Sequence, residues 1–182
     1  MNFAYLRAGY CPPGSTTLHP EELYNRIIAY QTQNDSTGEI TIPAPDATGS
    51  TTANGTFWSP SVEDPMFPKP FDVVISDLKV SGRGGPAQFG GYPRPENDWQ
   101  GPILRGKLGL EGGGHCGIIS AAGKIEMRPL WRKEDPGNEG EVMELFEGEF
   151  SFRTKFNSLY SKKGFGRGES VKLAFWAVRS LA

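Results

Sequence analysis

Residues 146–156 set the tightest limit on what this chain can fold into. Phe146, Phe150, Phe152 and Phe156 fall on one side of a two-residue period, and Glu147, Glu149, Arg153 and Lys155 on the other. An extended backbone sends successive side chains to opposite faces, so this alternation predicts an antiparallel strand with one face on a core and one in water. Beyond a loop at 157–170, residues 171–178 are apolar on both faces. Val171, Leu173, Phe175 and Ala177 share one face, and Ala174, Trp176 and Val178 share the other. A strand of that kind is either central in a sandwich or covered by a partner.

The rest of the chain follows the same logic with weaker signals. Val73, Ile75, Leu78 and Val80 predict a strand over 71–80, and Leu104, Leu108 and Leu110 against Arg105 and Lys107 predict another over 103–110. Residues 116–120 and 124–131 read as the next pair, bent at Ala121-Ala122-Gly123, and residues 39–42 as a short strand. The start of the chain, broken by Pro12-Pro13-Gly14, reads as an arm or an edge strand.

One helix is expected, over 20–31. Pro20 suits the first helical position, Glu21 and Glu22 suit the positive end of the helix dipole, and Leu23, Ile27 and Tyr30 form a stripe with Tyr24 and Ile28 beside them. Without strand–helix alternation the connections should be antiparallel. The expected fold is all-β and mainly antiparallel: a β-sandwich of jelly-roll or immunoglobulin-like type with one short helix and long irregular loops. A flattened barrel is the second choice.

The whole chain, 1–182, reads as one β-rich domain with an N-terminal arm and helix (1–35) and long loop excursions (43–70 and 81–102). The 24 glycines and 15 prolines account for the excursions. Within the first, Asn54-Gly55 predicts a tight hairpin turn between 50–53 and 56–59, and residues 65–70 an extended, polyproline-like run. Asp135-Pro136-Gly137-Asn138 predicts a turn before the final ribbon.

A net charge of −2 supplies no global field for nucleic acid or an anionic membrane. No apolar run reaches membrane-spanning length, and the first residues lack the pattern of a signal peptide. The expectation is therefore cytoplasmic synthesis, no membrane, and free thiols at Cys11 and Cys116.

The candidate motifs are outweighed by plain readings. Residues 162–168, Lys-Lys-Gly-Phe-Gly-Arg-Gly, hold a core similar to the first half of the RNP1 motif of RNA-recognition modules. Arg167 and Gly168 depart from that motif, and the βαββαβ pattern of its fold is missing. Solvated charge is the plain reading, with Lys162, Lys163 and Arg167 as an anion-binding alternative. His115 beside Cys116 points to the opposite face of a strand, which argues against a thiol–imidazole nucleophile. Neither the two histidines nor the two cysteines show close zinc-ligand spacing. Glu147 and Glu149 read as a wet strand face rather than a catalytic pair. No cofactor, metal or catalytic residue is expected.

Rings on the irregular stretches carry the functional reading. Phe57, Trp58, Phe67, Tyr92 and Trp99, with Trp176 on the ribbon, are costly to leave in water at about 25 cal/mol per Å² of apolar surface. They are expected to bind a partner. The expectation is a non-enzymatic assembly protein that packs against itself or other structural subunits, in the style of a virion shell, phage tail or baseplate component. A carbohydrate-binding module using Phe89, Tyr92 and Trp99 is the alternative, a β-fold enzyme without a recognisable motif the next, and nucleic acid is not expected.

Overall fold

In the computed structural model the strands form one curled, antiparallel sheet and a small ribbon. The structure describes residues 2–7, 18–33, 38–43, 54–83, 101–111, 117–135, 137 and 141–179. The elements run β1 (Asn2–Arg7), α1 (Pro20–Thr32), β2 (Gly38–Thr41), β3 (Gly55–Trp58), β4 (Glu63–Asp64), β5 (Phe67–Pro70), β6 (Val73–Arg83), β7 (Pro102–Leu110), β8 (Ile118–Glu134), β9 (Val142–Phe156), α2 (Ser158–Lys162) and β10 (Gly168–Arg179). The large sheet closes on itself in the order β1-β10-β9-β8-β7-β6-β3-β2, while β4 and β5 pair alone.

The all-β, antiparallel expectation holds, and the strand order is that of a barrel rather than two stacked sheets. Closure rests on the first strand: β1 pairs with β10 on one side and with β2 on the other, so residues 2–7 are neither a free arm nor an edge. An eight-stranded barrel has an interior about wide enough for side chains to fill. Phe150 stands at its centre, its ring edge-on to Phe57 at 4.6 Å and tilted against Phe175 at 6.2 Å. Gly148 makes room for this group, because a Cβ there would come within 2.3 Å of the Phe175 ring and 2.7 Å of the Glu126 carbonyl oxygen.

A second apolar cluster lies outside the barrel. Leu23 and Ile27 of α1, with Tyr24 and Ile28 alongside, pack on Leu130, Trp131, Met143, Leu145, Trp176 and Val178. The doubly apolar strand is thereby explained: β10 sends Leu173, Phe175 and Ala177 into the barrel and Trp176 and Val178 under the helix. The covering partner is the chain's own α1. Its first turn adds a Glu21–Lys133 ion pair at 2.8 Å to the β8–β9 hairpin.

Several local expectations are corrected. Residues 118–120 and 124–131 do not form a bent pair; β8 runs as one strand from Ile118 to Glu134, with register shifts at 118–120 and 129–131 and Gly123 opposite Phe152. Asn54-Gly55 is not a hairpin turn, since Gly55 opens β3, which pairs with β2 and β6; residues 50–53 lie outside the described residues. The polyproline-like run is strand β5, laid against β4. The loop at 157–170 contains α2, whose cap is Asn157: its Oδ1 accepts the Leu159 amide at 2.8 Å.

Glu147 is no wet-face residue. It is 3% exposed and takes a charge-assisted hydrogen bond of 2.7 Å from Nε of Arg128, itself 4% exposed.

Candidate interaction surface at the α2 end of the barrel

The two ends of the barrel differ, and the difference originates in β8, β9 and β10. Their register aligns outward-facing residues in rows across the three strands. At the end nearest the β8–β9 turn the rows are Trp131, Leu145 and Val178, then Arg128, Glu147 and Trp176, all buried. Toward α2 they become Ala122, Arg153 and Ser170, then Ser120, Lys155 and Gly168. Small residues on β8 and β10 there leave space on both sides of the two cations of β9. These rows, with Thr154, Arg167 and Glu169, line an open groove of about 910 Å³. Among the described residues, Arg153, Lys155 and Arg167 have no carboxylate partner, whereas Arg105, Lys107 and Lys172 are paired with Glu126, Asp77 and Glu149. The Arg105–Glu126 and Lys107–Asp77 contacts hold both cations further toward their charged forms.

The α2 end is firmly built. Tyr160 of α2 is 1% exposed and donates its hydroxyl hydrogen toward Asp64 of β4, with both carboxylate oxygens 3.0 Å away. Asp64 also accepts the Met66 amide at 2.8 Å, so one carboxylate ties α2 to the β4–β5 ribbon. Phe156 and Phe165 flank the Tyr160 ring at 5.0 and 6.1 Å. Gly117, at φ +104°, lies so close that a Cβ there would overlap the tyrosine ring.

On this rigid end, apolar side chains face water. Phe67 on β5 is 61% exposed, Ile119 at the β8 bulge 57%, and Leu159 on α2 45%. Trp58, at the end of β3, is also exposed. A cleft of about 330 Å³ between Ser61–Glu63 and Glu169–Val171 continues the groove toward the β4–β5 ribbon.

The structure divides the six rings expected to meet a partner. Trp58 and Phe67 stand exposed at the α2 end. Phe57 points into the barrel core at 1% exposure, and Trp176 is sealed beneath α1, so both are roofed by their own chain. Tyr92 and Trp99 lie outside the described residues, as do Phe89, Cys11, His115 and Cys116. Of the expected anion-binding trio, Arg167 lines the groove while Lys162 and Lys163 sit on the α2 segment leading to it. Phe165 of the RNP1-like string packs against Tyr160 instead of standing on a strand for a base to stack on.

Sequence reasoning passed over Ile119 and Leu159 as interface candidates, and Arg153 and Lys155 as groove residues. The signal for the two cations was present: both alternate on the outer face of β9 and have small residues opposite them. Among the described residues, no three His, Cys, Asp or Glu side chains converge as a metal-ligand group, and no helix is long and apolar enough to cross a membrane. Comparison with known proteins finds no matching family model, no similar curated protein and no similar solved structure.

Proposed function

We propose that this protein is a non-enzymatic assembly subunit whose α2 end binds a neighbouring protein chain. The supporting observation is the combination of Phe67, Ile119 and Leu159 in water on an end that Tyr160 and Asp64 hold rigid. An apolar patch on a mobile loop can fold away. One fixed on a braced barrel end stays exposed until another molecule covers it. Mixed apolar and cationic residues suit a protein interface, where apolar contact supplies affinity and charge supplies orientation.

The partners in this reading are further copies of the chain, which other structural subunits can join. A virion shell, tail or baseplate is the kind of particle that uses such a subunit. The barrel interior is filled by Phe57, Phe150 and Phe175, so the partner site lies on the surface. The test is a Phe67→Ser/Ile119→Ser/Leu159→Ser variant of the full chain. Its native mass should fall from a multiple of the chain mass to a single chain, with an unchanged far-ultraviolet circular dichroism spectrum. An unchanged multiple would place the interface elsewhere.

A further inference from the structure

The charge reverses between the β8–β9 turn and the stretch that ends β9 and leads through α2 into β10. Between residues 132 and 144 the sequence sets five carboxylates against two cations, and from 151 to 168 it has five cations and no carboxylate. Toward the turn, the pairs Arg132↔Glu144, Lys133↔Met143 and Glu134↔Val142 continue beyond Leu145↔Val178, the last described register pair between β9 and β10, and Arg179 of β10 meets the first of them through Glu144. Three residue pairs at ~3.4 Å rise make a tongue of about 10 Å. The tongue is stiff, because α1 packs on Trp131 and Met143 and Glu21 binds Lys133. Glu134 and Glu141 at its tip are exposed, with no cation partner among the described residues. Burial first, and then the field of Asp135, Glu141 and Glu144, holds the Tyr24 hydroxyl above the usual tyrosine range.

We infer that the acidic tongue of one copy seats in the Arg153–Lys155–Arg167 groove of the next, joining barrels head to tail. This rests on the assembly reading and names its partner as a second copy. The groove holds roughly 910 Å³, and Glu169 is the single carboxylate among its lining residues. Its three cations face a tip whose Glu134 and Glu141 are equally unpaired. Nucleic acid fits less well: the groove lining contains no aromatic ring for bases to stack on, and the chain as a whole is negative. Tongue and groove are different surfaces at opposite ends of the same strands, so the contact is heterologous. It repeats from copy to copy until the rotation closes a ring or the chain of barrels grows as a filament.

The experiment compares the native mass of the full chain with two charge-reversed variants and their mixture. Lys155→Glu/Arg167→Glu alters the groove, and Glu134→Lys/Glu141→Lys alters the tongue. Asp135 is left alone because its Oδ1 accepts the Gly137 amide in the turn. Each variant alone should lose association by roughly tenfold or more, since like charges then face each other. An equimolar mixture should recover association at least to pairs of one variant with the other, because each retains the intact half that the other needs. Recovery also separates a broken contact from a broken fold.

Wild-type mass retained by both variants would overturn the tongue-and-groove contact and leave the assembly reading standing. A wild-type chain that is a lone monomer at every concentration would remove both. Variants that fall apart without recovery on mixing would overturn the contact. So would an oligo-dT band shift lost in Lys155→Glu/Arg167→Glu with the particle mass unchanged, which would give the groove to nucleic acid.

Discussion

The outer face of β8, β9 and β10 has two halves built on one ladder and finished in opposite ways. Under α1 the half is dry, and three ion pairs stand on it: Arg128 with Glu147 inside, Lys133 with Glu21 and Arg179 with Glu144 at the margin. Toward α2 the half is wet: Arg153, Lys155 and Arg167 line the groove without a carboxylate partner among the described residues, and Ile119 and Leu159 are exposed. A buried charge without a partner costs several kcal/mol, whereas an exposed one costs almost nothing. Folding therefore explains the Arg128–Glu147 pair of the dry half and places no such demand on the wet half. Unmatched charge and exposed apolar surface that folding does not require are what the assembly proposal draws on.

The largest expected effect tests the dry half. Glu147→Ala removes the carboxylate bonded to Arg128, which is 4% exposed, and should lower unfolding free energy by about 3–5 kcal/mol. Arg153→Ala, on the same strand in the wet half, should stay within about 0.5 kcal/mol. Chemical denaturation of both variants gives the comparison directly; equal costs would erase the distinction between the halves.

A smaller effect tests whether the α2 end is braced. Tyr160→Phe removes the hydroxyl donor to Asp64 without changing the ring, and should cost about 1–3 kcal/mol. An unchanged unfolding midpoint would mean that the exposed side chains of that end are not rigidly presented.

The smallest effect reads the acidic tongue through Tyr24. Its folded-state pKa is raised, so the contribution it makes to stability is fully present below the ordinary tyrosine value and is lost as pH rises through the raised one. Ultraviolet titration should show a late-ionising tyrosine that is absent in Tyr24→Phe and ionises earlier in Glu141→Gln. No change on neutralising Glu141 would mean that burial, Asp135 and Glu144 set the shift without it.

How much of this was legible in the sequence depended on whether a short-range pattern carried the information. Phe146, Phe150, Phe152 and Phe156 announced an inward face because period two is local, and Leu23 and Ile27 announced a helix stripe for the same reason. That Trp176 needed a cover was also readable; which molecule supplies it was not, because α1 is far from β10 in the chain. Glu147 was misread because alternation treats every carboxylate as wet, and its partner Arg128 lies nineteen positions away. Ala121-Ala122-Gly123 resembled a bend because small residues carry little strand propensity, yet the ladder with β9 holds them straight.

Barrel closure was the least visible feature. It depends on β1, β2 and β3, each too short to show a period, meeting partners from both ends of the chain. At the candidate surface, exposed rings were expected on irregular stretches. Two of the apolar residues that face water, Ile119 and Leu159, instead sit on a strand bulge and a one-turn helix.

The most direct test is the mass of the purified full-length chain by sedimentation velocity over a wide concentration range at low salt. An assembly subunit predicts a mass that rises with concentration to a defined multiple of the chain or to a growing filament. A single-chain mass at every concentration, with Phe67, Ile119 and Leu159 still in water, would contradict the proposal.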